Sequence, residues 1–194
     1  MFKTITPIDN TVLLERNYDS SRIDLTINNS IKAQKDWSAL SIKERVNSLQ
    51  NFVKDFLSRD KIINEELSRQ IGRPISQAPG ELRGFKERAD YMLSIAEKKL
   101  ADLDVTRDNN FKNFIKRRPL GLVFVIAPWN YPYLTAVNSI LPALTLLNSH
   151  CYYPSVCTQC GLPQFSTNTV HQVLGFFDSS SKFNEPRHHF DHIA

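Results

Sequence analysis

The chain has 194 residues, 41% of them hydrophobic and 23% charged, which suits a domain with a buried core and excludes a wholly disordered polypeptide. The formal charge is +4 at pH 7. Basic residues are interspersed with acidic ones apart from Lys116-Arg117-Arg118, so the dense basic stripe of a nucleic-acid binder is missing. Only 6 residues are glycine, under half the usual share of about 7%. Neither G-x-G-x-x-G nor G-x-x-x-x-G-K-[ST] occurs, which excludes the common glycine-built phosphate loops.

The first ten residues, MFKTITPIDN, hold no apolar h-region and no small-residue cleavage site, so no secretory signal is expected there. The longest apolar stretch, Leu120 to Pro128, is far short of the roughly 18 residues of a spanning helix. No C-terminal lipidation motif is present. The expected setting is cytoplasmic, with no membrane partner.

In chain order, Ser30 to Trp37 is read as a short helix. Ser41-Ile42-Lys43-Glu44 is a capping box, in which Ser41 and Glu44 satisfy orphan N–H groups. Ile42, Val46, Leu49, Val53, Phe56 and Leu57 continue it as a 3.6-residue apolar face. A helix over Lys61 to Ile71 is stopped by Gly72 and Pro74. Another covers Pro79 to Leu100, with an interior Gly84 that lowers its propensity. Asn110 to Arg118 mixes apolar and basic residues and suits an exposed strand. Gly121 to Ala127 is a continuous apolar run, which predicts a strand buried on both faces as in a parallel sheet. Pro128 ends it. Pro132 suits the first turn of a helix that runs on to Leu147, and Pro142 is expected to kink it. Strand, short turn and helix make the first half of a βαβ unit. In open α/β sheets ligands bind at the carboxyl ends of strands, so Ala127 to Asn130 is where a site is expected.

Composition changes near residue 149. All five histidines and all three cysteines lie from His150 onward, and charges become sparse. Such a shift marks a domain boundary or a segment of different coding history. Cys157-x-x-Cys160 has the spacing of half a zinc site and His188 with His192 is an i, i+4 pair. The gap of about 27 residues between them exceeds the usual 12 to 15, so no metal site is assigned. Three cysteines leave one over, and a cytosolic setting argues against disulfides.

Arg118-Pro119-Leu120-Gly121, then Val125-Ile126-Ala127-Pro128-Trp129-Asn130-Tyr131-Pro132, then Pro142-Ala143-Leu144, resembles the aldehyde dehydrogenase superfamily. Trp37-x-x-Leu40-Ser41-x-x-x-Arg45 and Gly72-Arg73-Pro74-Ile75 are similar to two further segments of that family. The resemblance covers roughly residues 30 to 158. It implies NAD or NADP as cofactor and a small aldehyde as substrate: a cysteine thiolate attacks the aldehyde, the thiohemiacetal gives up a hydride, and water releases the acid. By the same resemblance Asn130 would be the side-chain amide donor of the oxyanion hole, as growing negative charge needs a fixed N–H. Ile126, Ala127, Pro128, Trp129 and Ser155 would border the cofactor, and Tyr131 and Leu134 the substrate tunnel. Read without the family, Trp129 is an aromatic at a strand end and Asn130 a helix N-cap.

Beyond Leu144 the family pattern x-x-G-N, strand, K-P-S-x-x-T-P is met only at Asn148, Pro154, Ser155 and Thr158; Leu147, Tyr153 and Gln159 replace its glycine, lysine and last proline. His150 to Tyr153 is half of the expected hydrophobic strand. The later G-S-x-x-x-G loop, the E-L-G-G-K segment with the general-base glutamate and the G-Q-x-C segment with the nucleophile do not occur. The expected fold class is therefore α/β, N-terminal helices plus the first strand–turn–helix of an incomplete Rossmann-like cofactor domain, with an irregular C-terminal tail. Expected segments are an extension over 1–29, a partial aldehyde dehydrogenase domain over 30–149 and a divergent Cys/His-containing tail over 150–194. The chain reads as a truncated or frame-altered member of an NAD(P)+-dependent oxidoreductase family, inactive alone. The alternatives are a non-catalytic partner of a full-length enzyme, in a homo- or hetero-oligomer, since the resemblance implies that Asn110 to Arg118 matches a small subunit-associating sheet, and a metal-binding tail protein.

Overall fold

The computed structural model describes residues 2–16, 21–107, 110–146, 149–154, 156–157 and 162–163. An antiparallel hairpin, β1 (Phe2–Ile5) and β2 (Val12–Arg16), comes first. Four helices follow: α1 (Ser21–Ala39), α2 (Ile42–Ser58), α3 (Asp60–Ile71) and α4 (Pro79–Leu100). A short antiparallel ribbon, β3 (Leu103–Asp104) with β4 (Phe114–Ile115), leads to β5 (Leu122–Ala127), α5 (Pro132–Thr145) and β6 (Ser149–Pro154). β7 (Val156–Cys157) and β8 (Leu162–Pro163) form a last antiparallel pair.

The α2 start behaves as its sequence requires. The Glu44 N–H donates to the Ser41 hydroxyl and the Ser41 N–H donates to the Glu44 carboxylate at 2.7 Å; the Ser41 hydroxyl, and after it the Ser41 N–H, hold the Glu44 carboxyl below its ordinary range. Gly72 ends α3 at φ 73°, the left-handed conformation that favours glycine. The interior Gly84 also has a cause. A Cβ there would lie 2.5 Å from Leu134 Cδ1, so its absence lets α4 and α5 approach closely.

The main core gathers Leu49, Leu67, Phe85, Leu93, Val137 and Leu141 from α2 to α5. A smaller one joins Val125 and Ala127 of β5 to Ala136 of α5. β5 and β6 pair in parallel, with Leu122 opposite Ser149 and Ala127 opposite Pro154, and α5 is the crossover between them. A parallel pair joined by a helix is the βαβ unit, so the sequence read as half a strand forms a full one. No helix among the described residues is long and apolar enough to cross a membrane.

Four expectations change. α1 begins at Ser21 rather than Ser30, so residue 29 lies inside a helix. The strand over Asn110 to Arg118 is confined to Phe114–Ile115. β5 is buried on one face rather than two: Val125 and Ala127 pack on α5, while Phe124 and Ile126, of opposite phase, are each 61% exposed. The helix after Pro132 stops at Thr145, short of Leu147, with Pro142 inside it. Ser155, Cys160 and all histidines except His150 lie outside the described residues.

Candidate functional site

The turn between β5 and α5, Pro128 to Tyr131, sits at the carboxyl end of a parallel strand. Three of the residues that the sequence marks are open there: Ile126, Trp129 at 36% and Tyr131 at 47% exposed. Asn130 is exposed as well. Two are not. Ala127 is buried against Ala136, so only its backbone can front a ligand. Leu134 is half-buried with its end at Gly84 of α4.

Asn130 is not the cap of α5. The N-cap position is Tyr131, and it supplies no side-chain bond. The orphan N–H groups of the first turn go instead to a residue 52 positions upstream. The Tyr133 N–H donates to Glu81 Oε1 at 2.7 Å, and the Leu134 N–H reaches the same oxygen at 3.3 Å. A carboxylate at this end also complements the helix dipole. The Glu81 side chain is fully buried, and its other oxygen, Oε2, pairs with Arg73 Nη1. A buried carboxylate without a cation would be costly; Arg73 supplies that cation.

Arg73 does two further things. Its Nη2 donates to the Asn130 carbonyl, and its guanidinium lies 4.4 Å from the centroid of the Tyr131 ring. Its position follows from its neighbours. Gly72 turns the chain out of α3, and Pro74 disfavours helical geometry for the residue before it. The sequence flags Arg73 through the Gly-Arg-Pro turn. Glu81 has no such signal, because an acidic residue in the first turn of a helix is ordinary.

The far end of α5 is held too. Trp37 Nε1 donates to the Leu144 carbonyl at 2.8 Å and Arg45 Nε to the Thr145 carbonyl at 3.2 Å, while Arg45 Nη1 takes the Leu40 carbonyl. The two ends of the Trp37-x-x-Leu40-Ser41-x-x-x-Arg45 segment therefore converge on the last carbonyls of one helix. Burial lowers the Arg45 pKa from its ordinary value, opposed by nearby Glu44. Behind the site, Phe56 packs against Phe85 at 4.7 Å and edge-on to Tyr133 at 5.2 Å between centroids. No group of three or more metal-ligating side chains occurs among the described residues.

The aldehyde dehydrogenase family profile matches residues 1–161. Peroxisomal aminoaldehyde dehydrogenase 1 of Pisum sativum is 29% identical over 157 residues, 73% of this chain and 31% of its own length. The solved PnpE of Pseudomonas sp. WBC-3 superposes with a TM-score of 0.77 at 22% identity, over 91% of this chain and 35% of that one. Succinic semialdehyde dehydrogenase from Streptococcus pyogenes, solved with NADP+, gives 0.72 at 20% identity, over 89% of this chain and 42% of that one. The chain thus spans about a third of the length of such relatives. On a match that runs through the β5–α5 turn and the helices bracing it, the chain belongs to the aldehyde dehydrogenase family.

Proposed function

We propose that this chain carries the amide-donor turn of an aldehyde-oxidising site, without the nucleophile that such a site needs. The family reaction converts an aldehyde, water and NAD(P)+ to a carboxylic acid, NAD(P)H and a proton. The observation that carries the reading is the division of labour at the turn. Glu81 caps α5 and Arg73 holds the Asn130 carbonyl, so the exposed Asn130 amide is not spent on capping. A fixed N–H aimed at a developing oxyanion is worth about 10²–10³ in kcat.

The turn suits part of a dinucleotide. Ile126 and Trp129 offer apolar and aromatic surface at the end of β5, with Pro128 between them. The α5 N-terminus offers no phosphate seat, since Glu81 fills it. PnpE has been solved with NAD and the Streptococcus pyogenes enzyme with NADP+, and either cofactor suits this reading; when bound, its nicotinamide accepts the hydride. Ser155 would complete the border. Tyr131 would face the aldehyde, and Leu134, whose end packs at Gly84 of α4, would border the tunnel only by what remains exposed of it. No G-Q-x-C or E-L-G-G-K segment is present, so the 194 residues alone do not oxidise aldehydes.

The test places residues 118–145 in an intact aldehyde dehydrogenase in exchange for its own segment. Asn130→Ala in that hybrid is expected to lower kcat by about 10²–10³, with a smaller change in KM. Unchanged kcat would remove Asn130 from the role.

A second reading rests on the β3–β4 ribbon, where Leu103, Phe111, Phe114 and Ile115 are each more than half exposed. Such an edge is a template for pairing, and it would join this chain to a full-length family member. Co-purification lost on Phe114→Lys would support this, and retention would oppose it.

A further inference from the structure

We infer that Arg73 is the positioning residue of the Asn130 turn, acting through one peptide plane. This deepens the proposed function and rests on it for the importance of Asn130. The guanidinium makes three contacts with separate consequences. Nη1 neutralises Glu81, whose other oxygen fixes where α5 begins. Nη2 takes the Asn130 carbonyl. The guanidinium carbon lies over the Tyr131 ring. The Asn130 carbonyl and the Tyr131 N–H belong to the same planar peptide unit, so holding that carbonyl fixes the rotation of the backbone on the C-terminal side of the Asn130 Cα. Together with the capped helix start, this sets the direction in which the Asn130 amide leaves the backbone.

The arrangement needs arginine rather than a cation in general. A guanidinium presents N–H groups in a rigid planar fork and stacks on an aromatic ring, whereas an ammonium is a point charge that does neither. Arg73→Lys therefore keeps a cation beside Glu81 and gives up the fork that also reaches the Asn130 carbonyl and places the guanidinium over Tyr131. That separates positioning from structural support within a single side chain.

The test uses the whole ¹⁵N-labelled chain, with the Asn130 side-chain resonances assigned by their disappearance in Asn130→Asp. In the parent the Tyr131 N–H is expected near the rigid backbone order parameter of about 0.85. Arg73→Lys is expected to drop it below about 0.6 and to broaden the Asn130 amide signals. Tyr133 and Leu134 should keep their exchange protection, because Glu81 stays paired. Tyr131→Leu, which leaves the ion pair untouched, should shift the order parameter at position 131 in the same direction by less, and it carries the test should Arg73→Lys not fold. An order parameter unchanged in the folded variants would overturn the inference. So would equal loss of protection at Tyr133 and Leu134, which would mean general loosening. The hybrid-enzyme kinetics read the role of Asn130 separately, so a mobile turn in Arg73→Lys with an inert Asn130→Ala hybrid would leave positioning intact and defeat the functional reading.

Discussion

Trp37 and Arg45 illustrate how much a single buried donor decides. Each places an N–H on a carbonyl in the last turn of α5, where the regular helical donors run out and the Leu146 N–H also reaches the Leu144 carbonyl. Trp37→Phe removes the indole donor and part of the buried ring, so it should cost about 1–3 kcal/mol in denaturant unfolding; a loss near zero would show that the Leu146 N–H or water replaces the indole. Glu66 supplies a pH test. Burial raises its carboxyl pKa above the ordinary 4.5, with Arg69 pulling the other way. A raised folded-state pKa means that the favourable contribution is complete below pH 4.5 and is lost as pH rises through the folded value. Glu66→Gln should therefore melt higher than the parent at pH 7 and about equally at pH 4. A lower melting temperature at pH 7 would contradict the sign.

At the scale of elements, Gly84 sets two effects against each other. Alanine inside a helix gains up to about 1 kcal/mol over glycine, but its Cβ would meet Leu134 Cδ1 at 2.5 Å, and overpacking costs about 1–3 kcal/mol. Gly84→Ala should thus gain less in the parent, where the Leu134 end must move, than in a Leu134→Ala background. A double-mutant cycle by urea unfolding reads that coupling, and equal effects in both backgrounds would refute it. The sequence showed α2, α3 and α4 clearly, since their apolar faces repeat at helical spacing and their ends carry Ser41, Gly72 and Pro79. The start of α1 is not legible, because Ile23, Leu25 and Ile27 alternate as in a strand and Ile23 and Leu25 are exposed, so no helical stripe announces them. The turn at Trp129 and Asn130 was legible as a motif. Its bracing was not, because Glu81 lies 52 residues before the N–H that it accepts and local pattern carries no information over that distance.

Across the whole molecule, α5 is the member on which the others converge. α4 packs along it, Glu81 holds its start, Trp37 and Arg45 hold its end, and β5 lies under Ala136. The continuous apolar run of β5 led to an expectation of two-sided burial, yet its two faces differ in the structure. Val125→Ala should cost about 1.5–3 kcal/mol, the scale of one fully buried aliphatic side chain. Ile126→Thr should stay within about 0.5 kcal/mol, with comparable losses from both showing the second face to be covered. The proposed pairing of an amide-donor turn with no nucleophile is tested by NAD(P)H absorbance when the purified 194-residue chain is incubated with aldehydes and either NAD+ or NADP+. The expected rate equals that without protein; turnover that disappears in Asn130→Ala would overturn the proposal.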